Sequence, residues 1–246
     1  MPTPFLSLII PAHNEETRLP ETLSQVFDFA GKQSYTSEVL VVENGSSDKT
    51  YQIAQDFTGR HPSMRLLQNT QKGKGGAVRQ GMLAAQGEHR FMCDVDFSMP
   101  VNEINCFLPP TLEGYDVAIA SREAPGAVRV GEPYYRHFVG RIYNGLIRFL
   151  ALPGLQDTQC GFKCFRGPVA EDLYKRQTLT GWSFDVEILF IARLLGYKVI
   201  EIPIRWYYNP HSKISVVRDS FKMGVDLLTI RLNALRGVYT RPNARL

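Results

Sequence analysis

The chain has 246 residues, a formal net charge of +4, 44% hydrophobic and 21% charged residues. That length supports a sizeable buried core, and the composition excludes a disordered chain. The mild positive charge permits contact with phosphates or an anionic membrane face but does not mark a nucleic-acid binder.

Phe5 to Ile10 reads as a buried strand closed by Pro11. It is too short to be a leader or a membrane span, and no later apolar run reaches spanning length, so any membrane contact is expected to be peripheral. A helix is expected to open at Asn14, with Leu19, Leu23, Val26 and Phe27 on its apolar side. A second strand, Glu38 to Val42, runs into the turn-rich segment Glu43-Asn-Gly-Ser-Ser-Asp48, which has good helix-capping chemistry, and a helix over about Lys49–Thr58 follows. Met64 to Leu67 reads as a short strand, Gly75 to Ala85 as a small-residue helix, and Phe91 to Asp96 as a strand ending in paired carboxylates. Further strands are expected at Tyr115–Ala120 and Val199–Ile204, and a long helix at Ser215–Val238. The alternation predicts an α/β fold, a parallel sheet with helices on both faces. Residues 1–210 are read as one domain and 211–246 as its C-terminal helical extension. Cys93, Cys106, Cys160 and Cys164 show neither a CxxC pair nor a zinc-like spacing with histidine, so they read as reduced packing residues of a cytoplasmic protein.

In such folds ligands sit beyond the carboxyl ends of the strands. Three polar segments follow three expected strands, Pro11–Glu15, Glu43–Asp48 and Asp94–Ser98, and should converge on one crevice. Asp94 and Asp96 flank Val95; strand alternation would put both carboxylates on one side, where two hard oxygen donors can share a divalent cation and neutralise a diphosphate leaving group. Lys72-Gly-Lys-Gly-Gly76 is either a phosphate-cradling loop at a helix start or a basic turn that packs closely; it lacks the Walker A spacing. Trp206 reads as core, Trp182 stays open between core and sugar stacking, and Tyr134–Leu152 is either an amphipathic helix in a headgroup layer or a core-facing helix with a basic outer side.

Ser7-Leu-Ile-Ile-Pro-Ala-His-Asn-Glu15, Val41-Val-Glu-Asn-Gly-Ser-Ser-Asp-Lys-Thr50, Gly73-Lys-Gly-Gly-Ala-Val-Arg79 and Asp94-Val-Asp96 occur in an order and spacing that resembles family 2 glycosyltransferases. Ala120-Ser-Arg122, Asp157-Thr-Gln-Cys-Gly-Phe-Lys163, Trp182-Ser-Phe-Asp-Val-Glu187 and Ser212-Lys213 are similar to the polyprenyl-phosphate branch. That branch holds dolichyl-phosphate β-glucosyltransferases, the nearer likeness, and dolichol-phosphate mannose synthases. The resemblance implies a GT-A, Rossmann-like fold with a mixed, mainly parallel sheet, a nucleotide-sugar donor with UDP-glucose favoured, a polyprenyl-phosphate acceptor, and Mg²⁺ or Mn²⁺ held by Asp94 and Asp96. It further implies that Pro11, His13, Glu15, Glu43 and Asn44 line the base and ribose pocket, with Glu43-Asn44 departing from the family's usual Asp-Asp. Lys74 would meet the donor, and Arg122, Arg136 and Lys213 would grip phosphates. Asp157 and Asp185 are the carboxylates available to orient the acceptor or act as a base, or else cap or turn residues. A lipid phosphate is already ionised near neutral pH, so direct attack with inversion needs mainly positioning and charge stabilisation. The readings set against this one are a transferase acting on a soluble sugar or glycan hydroxyl, a GDP-mannose-dependent polyprenyl-phosphate mannosyltransferase, a non-catalytic nucleotide- or lipid-binding module, and a nucleotidyltransferase.

Overall fold

The computed structural model describes residues 3–69, 73–209 and 216–240. Its first half runs β1 (Leu6–Ala12), α1 (Leu19–Ala30), β2 (Ser37–Glu43), α2 (Thr50–Arg60), β3 (Met64–Gln68), α3 (Lys74–Ala84) and β4 (His89–Met92). These four strands pair in parallel, β3 on β2, β2 on β1 and β1 on β4. Alternate residues of β1 enter opposite layers: Ile9 packs with Leu40, Ala77 and Met92, while Leu8 and Ile10 pack with Val39, Val41 and Phe91. Both faces are covered, which is why the strands read as unbroken apolar runs.

The expected boundaries shift for identifiable reasons. β1 continues through Pro11 to Ala12, because the β4 pairing ends at Ile9 and Pro11 has only β2 beside it, opposite Val42. Asn14 does not open a helix. It sits at φ 52° in a loop, and α1 begins at Leu19 with Pro20 in its first turn. β4 stops at Met92, so Asp94 and Asp96 lie in the turn beyond it and strand alternation does not place them.

The second half comprises β5 (Val117–Ser121), β6 (Val128–Val130), α4 (Tyr134–Leu150), β7 (Lys163–Arg166), α5 (Gly167–Arg176), α6 (Phe184–Leu194), β8 (Val199–Pro203), β9 (Arg205–Tyr207) and α7 (Val216–Leu235). β7 inserts antiparallel between β4 and β5, giving a seven-stranded mixed sheet in the order β3-β2-β1-β4-β7-β5-β8. β6 and β9 form a separate two-stranded parallel sheet. Leu227 and Ile230 of α7, and Tyr239 in the 3-10 turn after it, join the same apolar layer as α6.

Candidate active site

The sheet order sets the carboxyl ends of β3, β2, β1 and β4 side by side. The segments after β1 and β2 are stitched together. His13 Nδ1 lies 2.9 Å from the Asn44 carbonyl, the Asn14 amide donates to Ser46 Oγ at 3.0 Å, and the Ser47 amide donates to Asn14 Oδ1 at 2.8 Å. Glu15 accepts from Arg18, and its amide donates to Thr50 Oγ1 at 2.7 Å. Glu43 is buried and accepts from the Ser46 amide, while Asn44 accepts at 2.8 Å from Asn69, which follows β3. The expected pocket residues after β1 and β2 are therefore neighbours, and Asn69 joins them.

The start of α3 is clamped by the chain that leads into α6. Gly73 has φ +126°, and a side chain there would strike the Thr180 carbonyl; a Cβ on Gly75 would stand 2.6 Å from that of Phe184. The Gly76 amide donates to Thr180 O at 3.2 Å and Gln177 Nε2 donates to Gly75 O at 2.9 Å. Of the two readings of Lys72–Gly76, close packing is what Gly73 and Gly75 display; Lys72 lies outside the described residues.

That clamp sets Lys74 beside the carboxylate pair. Its Nζ lies 2.6 Å from Asp94 Oδ1 and 5.6 Å from the Trp182 ring centroid. Burial alone would lower the Lys74 pKa, but Asp94, Asp185 and Asp96 outweigh it and hold the ammonium form. Burial, with Asp94 adding to it, pushes the Asp96 carboxyl up, partly offset by the Ser98 amide. The turn is fixed from below by Thr22 Oγ1, which donates to Val95 O at 2.5 Å.

These residues fit a hard divalent cation. Asp94 and Asp96 offer carboxylate oxygens, and the absence of a Cβ at Gly161 makes the seat of the Asp94 carboxylate, since a methyl there would overlap it. Among the described residues no group of three or more His, Cys, Asp or Glu is arranged around a metal position. Two carboxylates completed by phosphate and water oxygens are what Mg²⁺ and related cations commonly take in nucleotide sites.

Asp157 and Asp185, the carboxylates expected to orient the acceptor or act as a base, are both held in ion pairs. Asp157 is fully buried and receives Arg122 Nε at 2.6 Å, Arg122 Nη2 at 2.9 Å and the Arg122 amide at 3.0 Å. Burial pushes its carboxyl up, but the guanidinium charge and hydrogen bonds win and hold it at about 2, so it is the fixed counter-charge of Arg122. Arg122 lies 5.4 Å from the Trp206 ring centroid, and Arg129 stands at 5.7 Å from the same ring. Trp206, expected as core, is half-buried against the apolar layer of β1 and is also a platform for two guanidinium groups. Asp185, in the first turn of α6, is buried and bound at 2.6 Å by the ammonium of Lys163, itself 1% exposed and also donating to Cys160 O. Burial raises the Asp185 carboxyl, against the pull of Lys163 and Lys74. The side chain of Arg136 and the whole of Lys213 lie outside the described residues.

Lys163 and Glu187 lie within the motifs of the polyprenyl-phosphate branch, and both are buried charges with partners. Glu187, fully buried, accepts from the amides of Thr178 and Leu179 at 3.1 and 2.8 Å and from Tyr239 at 2.9 Å, so it holds the loop that clamps Gly73. Their signal is a charge inside an apolar run, which must find a partner when buried.

Residues 7–174 match the family described as Glycosyl transferase family 2. The chain is similar to dolichyl-phosphate beta-glucosyltransferase of Mus musculus, at 32% identity over 99% of this chain and 80% of that protein. Among solved structures it is similar to mannosyl-3-phosphoglycerate synthase from Rubrobacter xylanophilus, with a TM-score of 0.68 and 15% identity over 99% of this chain and 77% of that one. It is likewise similar to glucosyl-3-phosphoglycerate synthase from Mycobacterium tuberculosis in complex with Mn²⁺, UDP-glucose and phosphoglyceric acid, with a TM-score of 0.62 and 16% identity over 98% and 82% of the two chains. At these identities the structural likeness speaks for the fold, which is GT-A.

Proposed function

Since the chain belongs to glycosyl transferase family 2, we propose that it transfers glucose from UDP-glucose to dolichyl or another polyprenyl phosphate, with inversion at the anomeric carbon. The observation that carries this reading is the convergence of Asp94, Asp96 and Lys74 at the carboxyl end of β4, in a chain similar over 99% of its length to dolichyl-phosphate beta-glucosyltransferase.

In this reading the nucleotide lies across the ends of β1, β2 and β3, against Pro11, His13, Glu15, Glu43, Asn44 and Asn69. Asp94 and Asp96 would hold a divalent cation, Mg²⁺ or Mn²⁺, whose charge stabilises the departing diphosphate. The acceptor's phosphate oxygen attacks C1 of glucose, the bond from C1 to the diphosphate oxygen breaks, and UDP departs with that electron pair. No proton need be removed from an ionised phosphate, which agrees with Asp157 and Asp185 both being held in ion pairs. Arg122, oriented by Asp157, is the phosphate-gripping residue of this account, joined by Arg136 and Lys213; residues 211–246 extend the same domain.

Placement at the cytoplasmic face of a membrane completes the reading. No helix among the described residues is long and apolar enough to cross a membrane. α4 and α7 turn Ile147, Leu227 and Ile230 inward and leave Phe149 at 84% and Leu235 at 85% exposed, with Leu228 and Leu232 of α7 and Arg141 and Arg148 of α4 also exposed. Exposed apolar side chains on both helices, with exposed arginines on α4, suit a headgroup layer. Both helices are tied to the site, α4 through His137 and Glu123 at 3.1 Å and α7 through Asp226 and Ser183 at 2.6 Å. The test is a panel of radiolabelled nucleotide sugars offered with polyprenyl phosphate, with and without EDTA. Label in the organic phase from UDP-glucose and metal alone supports the reading; preferential transfer from GDP-mannose, or to a water-soluble product, overturns it.

A further inference from the structure

We infer that Lys74 competes with a divalent cation for Asp94, and so couples cation binding to donor binding. The inference rests on the proposed cation role of Asp94 and Asp96 and goes beyond it by naming the residue that sets the order of loading.

The geometry is specific. The Lys74 ammonium stands 2.6 Å from Asp94 Oδ1, and the two side chains are 19% and 29% exposed, so water screens their charges only partly. The Trp182 ring lies 5.6 Å from the same ammonium. The backbone of Lys74 is held by the Gly73 and Gly76 contacts with Thr180, and a lysine's four-carbon stem has the rotatable bonds to carry its charge to another partner. A cation on Asp94 takes the lone pairs that Lys74 uses now, and a dication next to an ammonium repels it.

Local charge shows when that exchange is favourable. Asp94, Asp96 and Asp185 face Lys74 and Lys163, and Lys163 is fixed by Asp185 and the Cys160 carbonyl, leaving one net formal negative charge. A dication added alone reverses that sign and strands the Lys74 ammonium. A dication arriving with a diphosphate brings oxygens to receive the displaced ammonium. Cation alone therefore binds against Lys74, and cation with diphosphate binds with its help.

The test is Mn²⁺ titration of the full chain, read as free Mn²⁺ by electron paramagnetic resonance, with and without UDP. It compares the parent with Lys74→Met, which keeps an unbranched stem without the charge, Lys74→Gln, which removes the charge with a polar end, and Lys74→Arg. Losing a charge-assisted contact of this kind predicts about tenfold tighter Mn²⁺ binding without UDP in both neutral variants. It also predicts that the gain in Mn²⁺ affinity on adding UDP shrinks by about the same factor, with Lys74→Arg following the parent. Neutral variants that bind Mn²⁺ alone no tighter than the parent, or keep the full UDP enhancement, overturn the inference. Absence of Mn²⁺ binding in every protein, even with UDP, instead sinks the cation role of Asp94 and Asp96 itself.

Discussion

Replacing Gly161 by alanine tests how closely the Asp94 carboxylate is seated. A methyl at the ideal Cβ position would lie 2.9 Å from Asp94 Oδ1 and closer still to Cγ and Oδ2. The nearest oxygen, Oδ2, would lie 1.9 Å from that methyl, and non-bonded heavy atoms settle near 3.5 Å, so the carboxylate must withdraw by about 1.6 Å. What yields is the end of a side chain and not backbone, so the change in folding stability is expected to stay within about 1 kcal/mol. A misplacement of about 1 Å costs on the order of 100-fold in rate, or about 2.7 kcal/mol of transition-state stabilisation. Initial rates of UDP release across a Mn²⁺ series, with thermal unfolding of the same samples, measure both quantities. The reasoning is refuted if Gly161→Ala matches the parent in rate and metal dependence, or loses activity only as folded protein is lost.

Asp157→Asn breaks a buried pair and should destabilise the fold by about 3 kcal/mol in urea unfolding. With its carboxyl held at about 2 against an ordinary 3.8, Asp157 contributes stability that is complete above about pH 4 and lost as pH falls toward 2. Unfolding midpoints of the parent should therefore drop over that window by an increment that Asp157→Asn lacks. Glu187→Ala strips the partner from the Thr178 and Leu179 amides and from Tyr239; a loss of about 3 kcal/mol is expected by denaturation, together with a raised KM for the donor, and Tyr239→Phe should cost about 1 kcal/mol. Serine at Phe149, Leu232 and Leu235 together should lower co-flotation with anionic vesicles at least about tenfold, because each buries apolar surface worth about 1.5–3 kcal/mol in lipid, while the thermal midpoint stays put. Unchanged flotation would remove α4 and α7 from the membrane account.

The half of the sheet from β1 to β4 was legible because its strands are parallel, buried on both faces and separated by amphipathic or small-residue helices. Its errors are local. A proline that ends most strands is tolerated where one neighbour has already dropped away, and Asp94-Val-Asp96 reads as a strand end although the chain turns after Met92. The second half was harder. β6, β7 and β9 are three or four residues long, too short for a period to emerge, and β7 carries Lys163 where an apolar residue is expected. Glu187 and Asp185 fall in the first turn of a helix whose other residues, Arg193 apart, are apolar, and only the fold reveals that one latches a loop and the other meets a buried lysine. Asp157 was singled out by its motif, but its pairing with Arg122 depends on the approach of two chain segments 35 residues apart.

The measurement that bears most directly on the account is glucosyl transfer from radiolabelled UDP-glucose to dolichyl phosphate by Asp94→Ala and Asp96→Ala proteins, run beside the parent with Mn²⁺. The account predicts label in the lipid fraction for the parent and a fall of at least about 100-fold for either variant. Lipid-linked label formed by the variants at the parent's rate would contradict it.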